Sequence, residues 1–165
     1  LRKLYINQKV LSMKEKFTVL NDQESPVYKI VGSMFAIPKH FDIMDLNDNV
    51  IATVTKEPIT WMPKFHLTID GKQVATIKKQ FSFLKPHYEI SAAGISVSGD
   101  FWDMNFAVVR NEKTVGSVEK RWFSVGDKYE ITINNPEDEL LIVGLVVAID
   151  YVKHAEAAAR SSANG

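Results

Sequence analysis

Polar and apolar residues alternate along most of the chain, in short runs broken by turn residues. Runs near 3–8, 16–21, 27–33, 40–46, 50–57, 64–70, 73–80, 86–91, 95–100, 105–111, 114–122 and 128–134 keep this period of two and predict twelve β-strands. Asn21-Asp22, Asn47-Asp48-Asn49, Asp70-Gly71, Ala93-Gly94, Asn111-Glu112-Lys113 and Gly126-Asp127 punctuate them as turns. The alternation then stops. Residues 140–149 read LLIVGLVVAI, ten apolar residues between Glu139 and Asp150. Asn135 suits a helix N-cap and Pro136 the first helical position, and three acids follow at the positive end of the helix dipole. The spacing predicts a helix over about 136–153, apolar on every side. A span needs about 20 apolar residues to cross about 30 Å of hydrocarbon. The shorter helix is therefore expected inside a protein core. Gly144 in its middle costs about 1 kcal/mol against alanine, which predicts a close neighbour there.

Three predicted hairpins repeat one pattern. Ala52-x-Val54-x-Lys56 recurs as Ala75-x-Ile77-x-Lys79 and as Gly116-x-Val118-x-Lys120. An aromatic follows nine residues after each lysine, opening the triplets Phe65-His66-Leu67, Tyr88-Glu89-Ile90 and Tyr129-Glu130-Ile131. Tyr28-Lys29-Ile30 is a partial fourth copy. A period of two puts the small residue, the branched residue and the lysine on one face. If that face is inward, the small residue makes room for the helix and the lysine snorkels out at the rim. Glu89 or Glu130 is its expected salt-bridge partner. Barrels of about 8 strands fill themselves and those of about 16 hold a channel. Twelve strands suit a lumen holding one helix about 10 Å across. The expected architecture is mainly β: a closed twelve-stranded antiparallel β-barrel around a central hydrophobic C-terminal α-helix. One domain is expected over 1–154, with residues 155–165, rich in Ala, Ser and Gly, as a flexible or frayed tail.

Composition narrows the function classes. Lys+Arg and Asp+Glu are both 20, so the formal net charge of zero argues against a nucleic-acid binder that relies on bulk charge. Cysteine is absent, which removes disulfides and thiol chemistry. No N-x-S/T acceptor is present and the first residues, LRKLYINQKV, lack a signal-peptide apolar region. A cytoplasmic setting, peripheral at the membrane, is the expectation.

Catalytic signatures are missing. The four histidines, His40, His66, His87 and His154, form no close metal pair. Asp45-x-Asn47-x-Asn49 imitates the start of a calcium loop, but Val50 stands where glycine is needed and Lys56 where the bidentate glutamate belongs. Asp100 and Asp103 with Asn105, beside Phe101 and Trp102, read either as a cation or acid–base cluster or as a polar loop with an aromatic plug. No nucleophile elbow, P-loop or dinucleotide fingerprint occurs. No catalytic residue, metal ligand or cofactor is expected. Basic and aromatic residues interleave at Lys78-Lys79-Gln80-Phe81 through Lys85 and at Lys120-Arg121-Trp122. Exposed, they meet anionic headgroups; unexposed, the aromatics are strand-pair residues.

Strands ending in a capped apolar helix with an Ile149-Asp150-Tyr151 close, together with the repeated hairpins, resemble the tubby C-terminal-like superfamily. The nearest branch is the LURP-one-related family, with phospholipid scramblases as cousins. The resemblance covers about residues 3–154 and implies a twelve-stranded barrel around a C-terminal helix. It also implies a link to phospholipids, since tubby domains bind phosphoinositide headgroups through basic residues on the barrel exterior. Those residues have no matching motif in this chain and are not carried over. The cysteine-rich lipid anchor of the scramblases is absent. The expected function is a non-enzymatic intracellular binding module for phospholipid headgroups or a membrane surface. Its candidate ligand residues are Lys78, Lys79, Lys85, Lys120, Arg121 and Trp122. A protein-interaction scaffold is the alternative, and an enzyme using Asp100 and Asp103 the third reading.

Overall fold

A computed structural model of the chain describes residues 1–7, 16–81, 83, 87–92, 94–101, 103–123 and 126–164. Twelve strands follow in order: β1 (Arg2–Asn7), β2 (Lys16–Asn21), β3 (Pro26–Gly32), β4 (His40–Met44), β5 (Val50–Lys56), β6 (Lys64–Ile69), β7 (Lys72–Gln80), β8 (His87–Ser91), β9 (Ile95–Asp100), β10 (Asn105–Arg110), β11 (Lys113–Arg121) and β12 (Lys128–Ile133). A 3-10 turn (Pro136–Asp138) leads into helix α1 (Glu139–Ala163). The strands form one antiparallel sheet in the order β8-β7-β6-β5-β4-β3-β2-β1-β12-β11-β10-β9. The β1–β12 ladder, from Arg2↔Ile133 to Asn7↔Lys128, curls it into a barrel. Closure stops just short of the complete ring that the sequence predicts. Between β8 and β9 no ladder forms among the described residues. Aromatic rings bridge that seam instead: Phe101 packs 5.3 Å from Tyr88 and 5.3 Å from Phe106.

The apolar rod fills the lumen. Every residue from Leu141 through Asp150 is buried. Inward-facing residues of the strands, among them Leu4, Ile30, Val54, Leu67, Ile77, Val118 and Ile131, surround it with no exposed area. Each such side chain contributes about 1.5–3 kcal/mol through its burial. Space for the rod comes from small residues. A Cβ on Gly116 would lie 2.5 Å from Ile142 Cδ1, and one on Gly144 would lie 3.0 Å from Leu67 Cδ1. The crowding expected at Gly144 is therefore real, and β6 supplies it.

The helix start is built as its sequence predicts. The Asn135 side chain accepts from the Glu137 amide and Pro136 opens the first turn. Buried Asp138 accepts from Arg110 at Oδ1, 3.0 Å from Nε and 2.6 Å from Nη2, with Nε also 3.3 Å from Oδ2. Buried Glu139 accepts from the Tyr28 phenol at 2.5 Å and lies 3.3 Å from Arg2. The helix then runs past the expected end near residue 153. Its buried stretch closes with Val152, but the following Ala-rich residues have high helix propensity and carry α1 on to Ala163.

All sheet neighbours are antiparallel, so the two barrel ends differ in kind. Turns after even-numbered strands share the end where α1 begins. They are tight: Asp70-Gly71 and Asn111-Glu112 have positive φ at both residues, as two-residue hairpin turns require. Asp45 Oδ1 accepts from the Asn47 and Asn49 amides, so the calcium-like triplet is a side-chain-capped hairpin turn. Loops after odd-numbered strands share the opposite end, where α1 emerges, and all but the β9–β10 loop are longer.

Candidate functional site

The repeated lysines converge on the loop end. Lys56 lies opposite Phe65, Lys79 opposite Tyr88 and Lys120 opposite Tyr129 in the registers of three hairpins. The three aromatics are buried and the lysines cap them at the strand tips. The partners differ from those expected. Lys79 pairs with Glu156 on the helix and keeps only 12% of its side chain exposed. Glu89 bonds Gln80, and Glu130 faces outward, where Lys3 reaches it at 3.1 Å, Tyr5 at 3.2 Å and Arg121 at 3.4 Å. Burial pushes the Glu130 carboxyl up, but the Lys3 hydrogen bond and its charge prevail and hold it below the usual range.

The six candidate ligand residues form two groups, not one patch. Lys78 and Lys79 stand on β7, Lys120 and Arg121 on β11, with β8, the seam, β9 and β10 between them. Lys78 faces outward and is exposed, across from Lys64 and Glu89. Lys85 lies outside the described residues. Arg121 is held between Glu119 at 2.9 Å and Glu130 at 3.4 Å. Trp122 is exposed, with the Lys120 ammonium 4.7 Å from its ring centre, a cation–π contact. Trp122 and Lys120, with Asp103, Asn105 and Glu119, line an open cleft of about 490 Å³. Behind it, burial lowers the pKa of Lys153, and the charge of Lys120 adds to that against the pull of Asp150, Asp103 and Asp100.

Asp100 takes a structural part in this end. Its Oδ1 accepts from the Asp103 amide at 3.1 Å, closing a turn around buried Phe101, the plug of the second reading. Trp102 lies outside the described residues. The histidines stand apart: His40 against the Pro38 carbonyl, His66 between Glu57 and Thr76, His87 against the Phe101 ring, and His154 beside Asp150. Among the described residues no three His, Asp or Glu side chains are grouped to hold a metal ion.

The same end also exposes Phe35, Ile37, Ile59, Trp61 and Phe83, which strand-based reading passes over. The signal is in the sequence: these side chains lie outside the alternating runs, near Pro38, Pro58, Pro63 and Pro86. The opposite turns hold Asp45, Asp48, Asp70 and Glu112, with no lysine or arginine among their described residues, whereas Asp22 and Glu24 of the β2–β3 turn share a cleft with Phe123 and Lys128, Glu24 lying 3.6 Å from the Lys128 ammonium.

No helix of the described residues is long and apolar enough to cross a membrane. The fold is similar to the crystal structure of an Arabidopsis thaliana protein, with a TM-score of 0.64, 14% identity and coverage of 92% of this chain and 90% of that one. In sequence, the chain is similar to the uncharacterized protein YxjI of Bacillus subtilis, 28% identical over 149 residues that cover 90% of this chain and 92% of the relative. The LURP-one-related family matches residues 2–150, so this chain, with its twelve strands wrapped on a terminal helix, belongs to that family.

Proposed function

We propose that the protein is a non-enzymatic, intracellular binding module that docks on an anionic phospholipid surface with the loop end of its barrel. The observation that carries this reading is the difference in charge between the tight turns and the strand tips of the loop end. The charged residues of the described tight turns are acids, flanked at the strand tips by Arg2, Lys72, Arg110 and Lys113, while Lys39, Lys56, Lys78 and Lys120 stand at the strand tips of the other end, whose loops also hold Glu57, Asp103 and Asp127. Near an anionic leaflet each such residue contributes about 1 kcal/mol, and salt weakens the attraction. Acidic turns facing away from the leaflet add orientation to that attraction. Lys79 is not counted, because Glu156 neutralises it. Arg121 acts through position, tying β11 to Glu130 beneath the Trp122 loop.

The test is co-sedimentation with phosphatidylcholine vesicles, with and without phosphatidylserine, at low and high salt. Binding to the anionic vesicles alone, weakened by salt and by Lys78→Glu with Lys120→Glu, is the expected result. Absence of binding at low salt rejects the reading and leaves a protein-interaction scaffold.

A further inference from the structure

We infer that an arc of apolar side chains on three adjacent loops inserts into the interfacial layer of the bilayer; this rests on the surface-docking reading above. β3 through β8 are consecutive around the wall, so the β3–β4, β5–β6 and β7–β8 loops are neighbours on one rim. Their tips are unlike those of a protein that only meets water. Phe35 is 91% exposed, Ile59 92%, Trp61 92% and Phe83 93%. Phe81 packs edge-on against Phe83 with ring centres 5.0 Å apart, so the third tip is an aromatic pair. Around the opposite end the exposed large apolar residues are Leu1, Leu46, Val50 and Val74, with no aromatic among the described residues.

Water-facing surfaces of monomers rarely collect such residues in one place, and a cluster of this kind marks a docking surface. Charge identifies the partner. Lys39, Lys56 and Lys78 stand at the strand tips just below the arc, where they reach the headgroup layer once the tips are embedded. Aromatic and aliphatic tips with lysines one step behind them match the polarity gradient of a membrane interface. The apolar residues sit on three separate tips rather than on one continuous plane. A deformable lipid layer fills the space between such tips, whereas a rigid protein surface would need three matching pockets. On the other side of the same rim the β11–β12 loop exposes Trp122 at 77% and Phe123 at 43%, so the apolar tips are densest, though not confined, on the β3–β8 half.

The chain has no cysteine, so single-cysteine labelling is unambiguous. Ile59→Cys and, at the opposite end, Asp48→Cys are each labelled with an environment-sensitive fluorophore and mixed with phosphatidylserine-containing vesicles carrying spin-labelled lipid. The label at 59 is expected to shift to the blue and be quenched, and the label at 48 to do neither. Phe35→Ser/Ile59→Ser/Trp61→Ser is expected to weaken vesicle partitioning at least about 100-fold while its urea midpoint stays unchanged, since each large apolar side chain is worth about tenfold. If wild type co-sediments with the vesicles but the label at 59 stays in water, insertion is wrong and surface docking stands. If the serine variant partitions like wild type, insertion is equally wrong. A blue shift at 59 without vesicles, together with a dimeric mass, assigns the arc to a second copy and overturns the inference. If wild type itself fails to bind at low salt, docking and insertion fall together.

Discussion

Tyr129 donates its phenol hydrogen to Asp150 at 2.6 Å inside the barrel, joining the last strand to the helix it encloses. Both residues are buried, at 0% and 1% exposure. Burial drives the Tyr129 phenol far above its ordinary pKa, and the adjacent carboxylate drives it further, so it remains a donor at any working pH. Tyr129→Phe leaves a buried carboxylate short of a partner and is expected to lower stability by about 2 kcal/mol. In urea unfolding, Asp150→Ala should make the second change, Tyr129→Phe, less costly than it is alone.

At two glycines helix and sheet leave little or no room for a Cβ, and the neighbours differ. At Gly116 a Cβ would also lie 2.6 Å from the Thr132 carbonyl oxygen, which is backbone and cannot step aside. Gly116→Ala should therefore cost about 1–3 kcal/mol. At Gly144 the contact is a leucine methyl at 3.0 Å, and the gain in helix propensity of about 1 kcal/mol offsets the crowding. Gly144→Ala is expected to change the denaturation midpoint little, and Gly144→Val to lower it clearly.

Arg110 and Asp138 fix where the helix begins. Arg110→Met strands a carboxylate that keeps only 2% of its side-chain surface, and a loss of about 3 kcal/mol is expected. Adding Asp138→Asn should restore part of it, as read by the thermal midpoint of the double variant.

His154 gives stability a pH dependence of known sign. The Asp150 carboxylate raises its pKa above the ordinary value, against opposition from burial and from Lys153. A raised folded pKa stabilises fully below the unfolded value of about 6.5 and loses that contribution as pH climbs through the folded value. Wild type should exceed His154→Gln in urea midpoint at pH 6, with the difference shrinking toward pH 9.

The twelve strands were legible because their signals are local. Alternation and turn chemistry set each boundary to within a residue or two, as β9 at Ile95–Asp100 illustrates. The inward face of the repeats was legible for the same reason: Ala75 and Ile77 are buried, and Lys79 lies beyond them on the same side. The partner of Lys79 was not. Glu89 is a neighbour along the ladder but points outward, whereas the lysine points to the helix, and only the continuation of α1 past residue 153 brings Glu156 within reach. The loop-end arc was hidden too. The period of two fixes side-chain direction within a strand and says nothing of Phe35 or Trp61 between strands. The seam between β8 and β9 escaped because the alternation in those strands does not show which pair fails to meet.

The rod that fills this barrel comes after all twelve strands in the chain. Until it docks, the inner faces of twelve strands have nothing to close upon, and β1 must meet β12, which lies more than a hundred residues along the chain. Before the helix is in place the sheet is unfinished and adhesive on its inner face. Closing the barrel on its rod joins parts far apart in sequence, a topology that folds slowly and exposes open sheet to aggregation.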